Sequence, residues 1–234
     1  MSYNKRYKPT YKRLLRLQFQ NFDDDKLNKL KKLKWSDFVL KRKRLNLRRK
    51  NLLYFFDHDI YNKPKYLFRL KKTFKANLTS KQKFSFFYGN LLTKYLKFII
   101  KKSLINKQKK MQDFLVHTLE SRLDILLFRT HFSRSIREAR QFILHGYVFV
   151  NGIKQTHYRY PIKKGDLIEI SEKKNEIIRF NVLNSPFYPL PPDYLQINYN
   201  TNQIVYIKPP STHLVTSQYK FFINFNSILS YFKN

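Results

Sequence analysis

Glycine is rare in this chain, and its positions constrain the fold more than any other feature. The 234 residues include only 4 glycines, and Gly146, Gly152 and Gly165 all lie between residues 121 and 170. Each stands where a turn requires a positive φ, which other residues adopt only at a cost. We therefore expect residues 121–170 to form a small module of short elements joined by tight turns.

The first part of this module is predicted to be an amphipathic helix. Apolar residues recur there at intervals of three and four, and these are Leu119, Leu123, Leu126 and Leu127. This spacing puts them on one face of a helix. Arg122 and Arg129 are expected to lie off that face, where their side chains can reach a partner.

A second helix is predicted to begin after Ser135. Ser135 with Glu138 three residues later is a capping box, which marks a helix start. Its predicted buried side consists of Ile136, Ala139, Phe142 and Ile143. Arg137, Arg140 and Gln141 are then expected outside or at the edge, and Gly146 follows as the residue that ends the helix.

A small sheet is predicted to follow the two helices. The alternating residues 147–150 lead into Asn151-Gly152, a strong hairpin signal, and the chain returns from Ile153. Gly165 lies in a second turn before the apolar residues 167–170. The expected fold class is thus α+β, with two helices packed on a small β-sheet.

The charge of the chain indicates a polyanionic partner. There are 48 Lys and Arg against 15 Asp and Glu, a net charge of +33. Phosphates neutralise such an excess, and each contact releases a counterion. Because the charge is spread along the whole chain without a long apolar run, we expect nucleic acid and not a membrane. A hydrophobic content of 42% indicates a folded protein, and the absence of cysteine excludes disulfides and thiolate metal sites.

The region before the module is predicted to be basic and largely helical. Residues 3–17 are basic and aromatic, and Pro9 favours an extended arm there. Residues 41–50, KRKRLNLRRK, form a dense cationic run, which could be a targeting signal, an RNA contact or a solvated helix face. Residues 80–102 are predicted to form one long helix. Its apolar stripe, expected in the core, is Phe84, Phe87, Leu91, Leu92, Tyr95 and Phe98.

Several short motifs together resemble one known family. They are RLD at 122–124, EARQ at 138–141, His145, V-x-V-N-G at 148–152 and K-x-G-D at 163–166. In combination they resemble the S-four RNA-binding domain. Outside the domain, KQK with YG at 81–89 and the segment LPPDYLQINYNTNQIVYIKPP at 190–210 are similar to the family of small-subunit ribosomal protein four. One departure is Ile136, where that family usually has Arg, so a phosphate contact could move to Arg134 or Arg137.

The resemblance implies three regions and a set of RNA contacts. The regions are a basic arm and helical rRNA-binding region at 1–112, the S-four type domain at 113–172, and a C-terminal extension at 173–234 that packs back on the others. The predicted RNA-binding residues are Lys5, Arg6, Lys8, Lys12, Arg13, Lys81, Lys83, Arg122, Arg129, Arg134, Ser135, Arg137, Arg140, Gln141, His145 and Lys154. No metal, cofactor, membrane or small-molecule substrate is expected.

The resemblance also implies a structural function. We expect a non-enzymatic component of the small ribosomal subunit that binds small-subunit rRNA and neighbouring ribosomal proteins. A pseudouridine synthase would need a catalytic domain, for which too little chain follows Glu172, and no HIGH or KMSKS motif indicates a tyrosyl-tRNA synthetase. The alternative is a stand-alone RNA chaperone or ribosome recycling factor with the same domain. Residues encoded by AT-rich codons abound, which suggests an organelle, and we expect a mitochondrion in preference to a plastid.

Overall fold

The fold is described by a computed structural model, which covers residues 10–17, 30–48, 70–105, 110–184, 192–210 and 225–233. The helices are α1 (Thr10–Leu17), α2 (Leu33–Arg48), α3 (Leu70–Phe87), α4 (Thr93–Ile105), α5 (Met111–Glu120), α6 (Leu123–Arg129), α7 (Ile136–Leu144), α8 (Asn175–Leu183) and α9 (Phe225–Lys233). The strands are β1 (Val148–Val150), β2 (Ile153–Lys154), β3 (Leu167–Ile170), β4 (Leu195–Asn198) and β5 (Gln203–Tyr206). The mixed helix and sheet content confirms the predicted α+β class.

The chain divides into two compact units. One contains residues 1–83 and 217–231, and the other contains residues 84–216 and 232–234. Both sequence-based boundaries, at 112 and 172, fall inside the second unit. The division into three regions stays a prediction. No helix in the described ranges is long and apolar enough to cross a membrane.

The first unit is built from helices around aromatic side chains. Trp35 of α2 is buried, with its ring 6.3 Å from that of Tyr11 and 5.3 Å from that of Phe38. In the same unit, Asn77 Nδ2 of α3 donates to Ser230 Oγ of α9 at 2.9 Å. Helix α9 thus packs on α3. The arm predicted over residues 3–17 is helical and not extended from residue 10 to 17, and residues 3–9 lie outside the described ranges.

The single helix predicted over residues 80–102 is wrong. The helix stops at Phe87 and a new one starts at Thr93. Between them, Gly89 and Asn90 both have positive φ, of 72° and 64°, which an α-helix cannot accommodate. Leu91 N donates to Ser85 O at 3.0 Å and closes the turn.

The break also changes which apolar residues are buried. Phe84, Phe87 and Leu91 belong to the core, as predicted. Leu92 and Phe98 are exposed, and Phe98 retains 63% of its accessible surface. Residues at helical spacing share one face only while the helix is continuous. The turn at Gly89 interrupts the helix, so the residues after it do not continue the face formed by those before it.

The second unit contains a five-stranded antiparallel sheet in the order β2-β1-β3-β5-β4. Val148 pairs with Ile170, and Ile168 pairs with Ile204. These side chains are buried and form the apolar face of the sheet. Strands β4 and β5 come from the C-terminal segment, so the sheet is larger than the three strands expected.

Candidate RNA-binding surface

Helix α7 and the residues that flank it include four of the exposed residues predicted to bind RNA, and both ends of the helix are capped. Glu138 N donates to Ser135 Oγ at 3.2 Å, which confirms the predicted cap. The Glu138 carboxylate reaches back and accepts from Arg134 N at 2.6 Å. At the other end, Gly146 has φ 72° and Tyr147 N donates to Phe142 O at 3.0 Å. This is a Schellman ending, which only glycine enters without strain.

The outer side of α7 is polar and accessible. Arg134, Arg137, Gln141 and His145 are exposed. A spacing of four residues aligns Arg137, Gln141 and His145 along one side of the helix, whereas Arg134 precedes the Ser135 cap. Lys154 from β2 reaches the same area. A Cβ at Gly146 would overlap Lys154 Cε, so the lysine side chain crosses the backbone next to His145. We call these five residues the α7 face.

The hairpin that positions Lys154 is held by a set of local hydrogen bonds. Asn151 and Gly152 have φ of 51° and 77°, as a two-residue hairpin turn of this type requires. Asn151 Oδ1 accepts from Leu167 N at 2.9 Å, and Asn151 Nδ2 donates to Asp166 Oδ1 at 3.0 Å. The two predicted turns therefore brace each other.

Arg122 is a correction to the sequence analysis. Its side chain is only 1% exposed, although we expected it off the apolar face. Arg122 Nη2 donates to the buried Asp124 Oδ2 at 2.6 Å. The residue precedes α6, in the bridge that pairs it with Pro161, so the helical spacing used for the prediction does not apply to it. A phosphate cannot reach this guanidinium in the folded chain.

Arg140 is bound to the same carboxylate. Its Nε donates to Asp124 Oδ2 at 2.8 Å and its Nη1 donates to Gly89 O at 2.8 Å, while the side chain remains 22% exposed. The guanidinium carbon also lies 5.0 Å from the centre of the Tyr158 ring. These contacts tie α7 to α6 and to the turn after α3. Arg140 therefore supports the fold, and a contact between Arg140 and RNA stays a prediction.

Arg129 is likewise turned toward the interior, which corrects its predicted position. Only 10% of its side chain is exposed, and its Nη2 and Nε donate to the two carboxylate oxygens of the fully buried Glu120, at 2.8 and 3.1 Å. Glu120 also accepts from Tyr88 Oη at 2.8 Å and from Tyr194 Oη at 3.1 Å. A buried carboxylate is costly unless it is paired and hydrogen-bonded, so the Arg129 side chain is held in the interior as the partner of Glu120.

The Glu120 cluster perturbs the pKa of its neighbours. Burial alone would lower the pKa of Arg129, but the charge and hydrogen bonds of Glu120 raise it above the ordinary value. Burial and then the charge of Glu120 raise the pKa of the Tyr194 phenol. The same two causes raise the pKa of Tyr206 to about 12. These shifts keep the Arg129 guanidinium charged and the Tyr194 and Tyr206 phenols neutral.

The predicted contacts in the first unit are unevenly placed. Lys5, Arg6 and Lys8 lie outside the described ranges, Lys12 is exposed, and Arg13 and Lys83 are partly exposed. Lys81 is mostly buried, with its Nζ 5.0 Å from the centre of the Tyr231 ring. Burial lowers the pKa of Lys81, and its contact with RNA stays a prediction.

Sequence reasoning missed helix α8 and the anchoring role of Glu120. In α8, Ile178 and Asn181 are buried at a spacing of three, which is a usable helical signal. The guanidinium of Arg134 lies over the exposed Phe180 ring of this helix, 5.5 Å from its centre. No local sequence pattern relates Arg134 to Phe180, because the two residues are far apart in the chain.

Within the described ranges, no three His, Asp or Glu side chains come together as a metal site.

Comparisons with known proteins show which family the chain resembles. The S4 domain family matches residues 121–168. The chain is 32% identical over 140 residues to the small ribosomal subunit protein uS4 of Sinorhizobium fredii, which covers 59% of this chain and 67% of that protein. The chain belongs to the uS4 family. The predicted resemblance is thereby confirmed.

Other uS4 proteins match over a similar length. The protein of Rhizobium etli is 34% identical over 127 residues, which covers 54% of this chain and 62% of the relative. That of Pelagibacter ubique is 31% identical over 133 residues and covers 57% and 64% respectively. The chain thus spans about three fifths to two thirds of these uS4 proteins.

Proposed function

We propose that this protein is a structural component of the small subunit of the mitochondrial ribosome, where it binds and organises small-subunit rRNA during assembly. It acts without catalysis, cofactor or small-molecule substrate. Membership of the uS4 family supports this function, because the relatives are small ribosomal subunit proteins by name. The net charge of +33 supports a polyanion as the main partner. Neighbouring small-subunit proteins are the further partners we propose.

The α7 face is the observation that carries the proposal. It presents Arg134, Arg137 and Lys154 as cations, with Gln141 and His145 between them, all exposed on one side of the module. Arginine donates in a fork that matches phosphate oxygens, and lysine adds a point charge. RNA is recognised largely through its backbone and its unpaired bases, which suits such a surface.

The buried arginines contribute by making that surface rigid. Asp124 holds Arg122 and Arg140, and Arg140 also holds the Gly89 carbonyl, so α7 is fixed at its middle. The Ser135 cap and the Gly146 ending fix its two ends. Side chains on a fixed helix lose little freedom on binding, which leaves more of the contact energy as affinity.

The salt dependence of rRNA binding tests the α7 face. Binding of the full chain to small-subunit rRNA is measured from low to high salt for the wild type, for Arg137→Gln with Lys154→Gln, and for the exposed Lys208→Gln with Lys164→Gln as matched control. We expect the first pair to reduce the slope of log affinity against log salt by about 1.5, since each phosphate contact contributes roughly 0.7 to 0.9. The control pair should change it much less. A flat salt response of the wild type contradicts the proposed function.

Co-sedimentation tests the ribosomal and mitochondrial parts of the proposal. We expect the protein to remain with small subunits prepared from purified mitochondria after high-salt washing. Release into the free fraction would favour the alternative, a stand-alone RNA chaperone or recycling factor. Recovery with plastid ribosomes would contradict the compartment that we propose.

A further inference from the structure

Helix α8 follows the S4 domain and is fixed in position by three residues. Ile178 is buried, and the equally buried Asn181 donates from Nδ2 to Phe132 O at 3.1 Å. At the start of the helix, Asn175 Oδ1 accepts from Asn202 Nδ2 at 2.6 Å. These contacts fix the orientation of α8 and therefore determine which of its residues face outward.

The outward side of α8 combines an aromatic ring with arginine. Phe180 keeps 53% of its surface exposed, and Arg134 lies over its ring at 5.5 Å. Arg179, the preceding residue, is also exposed, but consecutive residues of a helix do not face each other. Among the described residues, neither arginine forms an ion pair with a carboxylate, although the Glu138 carboxylate accepts from the Arg134 amide.

Arg134 links this ring to the α7 face. It precedes the cap of α7 and at the same time covers part of Phe180, so the two surfaces are continuous. An RNA strand that follows the α7 face therefore passes the Phe180 ring. An unpaired base at this point can stack on the ring or on the guanidinium plane, while the arginine N–H groups meet its phosphate.

We propose that Phe180 and Arg134 form a stacking site for one unpaired nucleotide of the bound rRNA. The site deepens the proposed function and depends on it. Glu176 lies one turn before both Arg179 and Phe180 and repels phosphate, so the phosphate of this nucleotide lies on the side of Arg134.

A protein partner fits the same surface less well. Ile177 and Leu183 are also exposed on α8, and an apolar neighbour could cover them. Such a neighbour would also remove water from the Arg134 guanidinium, which is costly unless it brings a carboxylate. A nucleotide supplies an apolar base and a negative phosphate together, so it satisfies both the ring and the charge.

Substitutions of Phe180 test the stacking site. Binding of the full chain to small-subunit rRNA is compared for the wild type, Phe180→Leu, Phe180→Tyr and Phe98→Leu, with circular dichroism to confirm folding. Phe98 is the matched control, because it is an exposed phenylalanine of the same unit on α4. We expect Phe180→Leu to weaken binding about 5- to 150-fold, since stacking of a base contributes about 1 to 3 kcal/mol. Phe180→Tyr, which keeps the ring, and Phe98→Leu should stay within about twofold of the wild type.

The salt slope separates the ring from the charge. Phe180→Leu should leave the slope unchanged, whereas Arg134→Gln should reduce it by about 0.7 to 0.9. If the wild type binds rRNA and Phe180→Leu binds as well as Phe180→Tyr, the stacking site is overturned while the proposed function stands. If Phe180→Leu keeps its rRNA affinity but no longer co-sediments with small subunits, the surface around Phe180 binds a neighbouring protein, and the stacking site is again overturned. Absence of rRNA binding by the wild type refutes the proposed function itself.

Discussion

The Glu120–Arg129 pair should be essential to stability and dispensable for RNA binding. Glu120→Gln keeps the shape of the side chain and removes its charge. The Arg129 guanidinium, which is 10% exposed, then loses the carboxylate that accepts two of its hydrogen bonds at 2.8 and 3.1 Å. The Tyr88 and Tyr194 hydroxyls lose a charged acceptor as well.

The magnitude follows from the burial of both partners. Removing one partner of a buried ion pair costs about 3 to 5 kcal/mol, because the other charge remains in the interior. A domain has about 5 to 15 kcal/mol of stability in total. Urea unfolding followed by circular dichroism should therefore show a large fall in the free energy of unfolding for Glu120→Gln.

A double variant provides the control. Glu120→Gln with Arg129→Met removes both charges, and the free energy of unfolding should recover a large part of the loss. Its rRNA affinity and salt slope should equal those of the wild type. A cost below about 1 kcal/mol for Glu120→Gln would mean that the pair is exposed to water. A slope reduced by about 0.7 to 0.9 in the double variant would mean that Arg129 contacts a phosphate after all.

Three further predictions concern stability. Gly89→Ala should lower the melting temperature in calorimetry more than Gly152→Ala does, because both positions have positive φ but only the Cβ at Gly89 would lie 2.5 Å from Arg140 Nη2. Ser135→Ala should cost about 1 kcal/mol in urea unfolding through loss of the α7 cap, and an unchanged midpoint would contradict this. The pKa of Tyr206 is raised to about 12, so the contribution of its neutral phenol to the free energy of unfolding is complete below about pH 10 and is lost between about pH 10 and pH 12. Urea unfolding measured across this pH range should show the free energy of unfolding falling. Tyr206→Phe should make that fall smaller.

The local elements of the S4 module could be predicted because their signals are local. The Ser135–Glu138 cap, the Gly146 ending and the Asn151-Gly152 turn each depend on residues within a few positions of one another. Backbone sterics and short-range hydrogen bonds decide such features. The break at Gly89 has the same kind of local signal, a glycine within an apolar pattern, but the helical spacing of the apolar residues on either side predicts an unbroken helix.

Which arginines are buried and which are exposed could not be predicted from the sequence. Arg122, Arg129 and Arg134 have the same side chain in the same short segment, yet two lie in the interior and one lies at the surface. What separates them is the position of Asp124 and Glu120 once the helices pack, together with Tyr88 and Tyr194 brought from distant parts of the chain. A sequence pattern records spacing along one element and carries no information on such encounters.

The amino-acid sequence alone determined the α+β class, the turns of the module, the excess of positive charge and the family. These follow from composition, from local backbone preferences and from short motifs, which do not require the folded chain. The tertiary structure alone decided which cations remain available to a phosphate and which neutralise buried carboxylates. The reason is physical, because the cost of burying a charge depends on the groups that surround it in space and not on its neighbours along the chain.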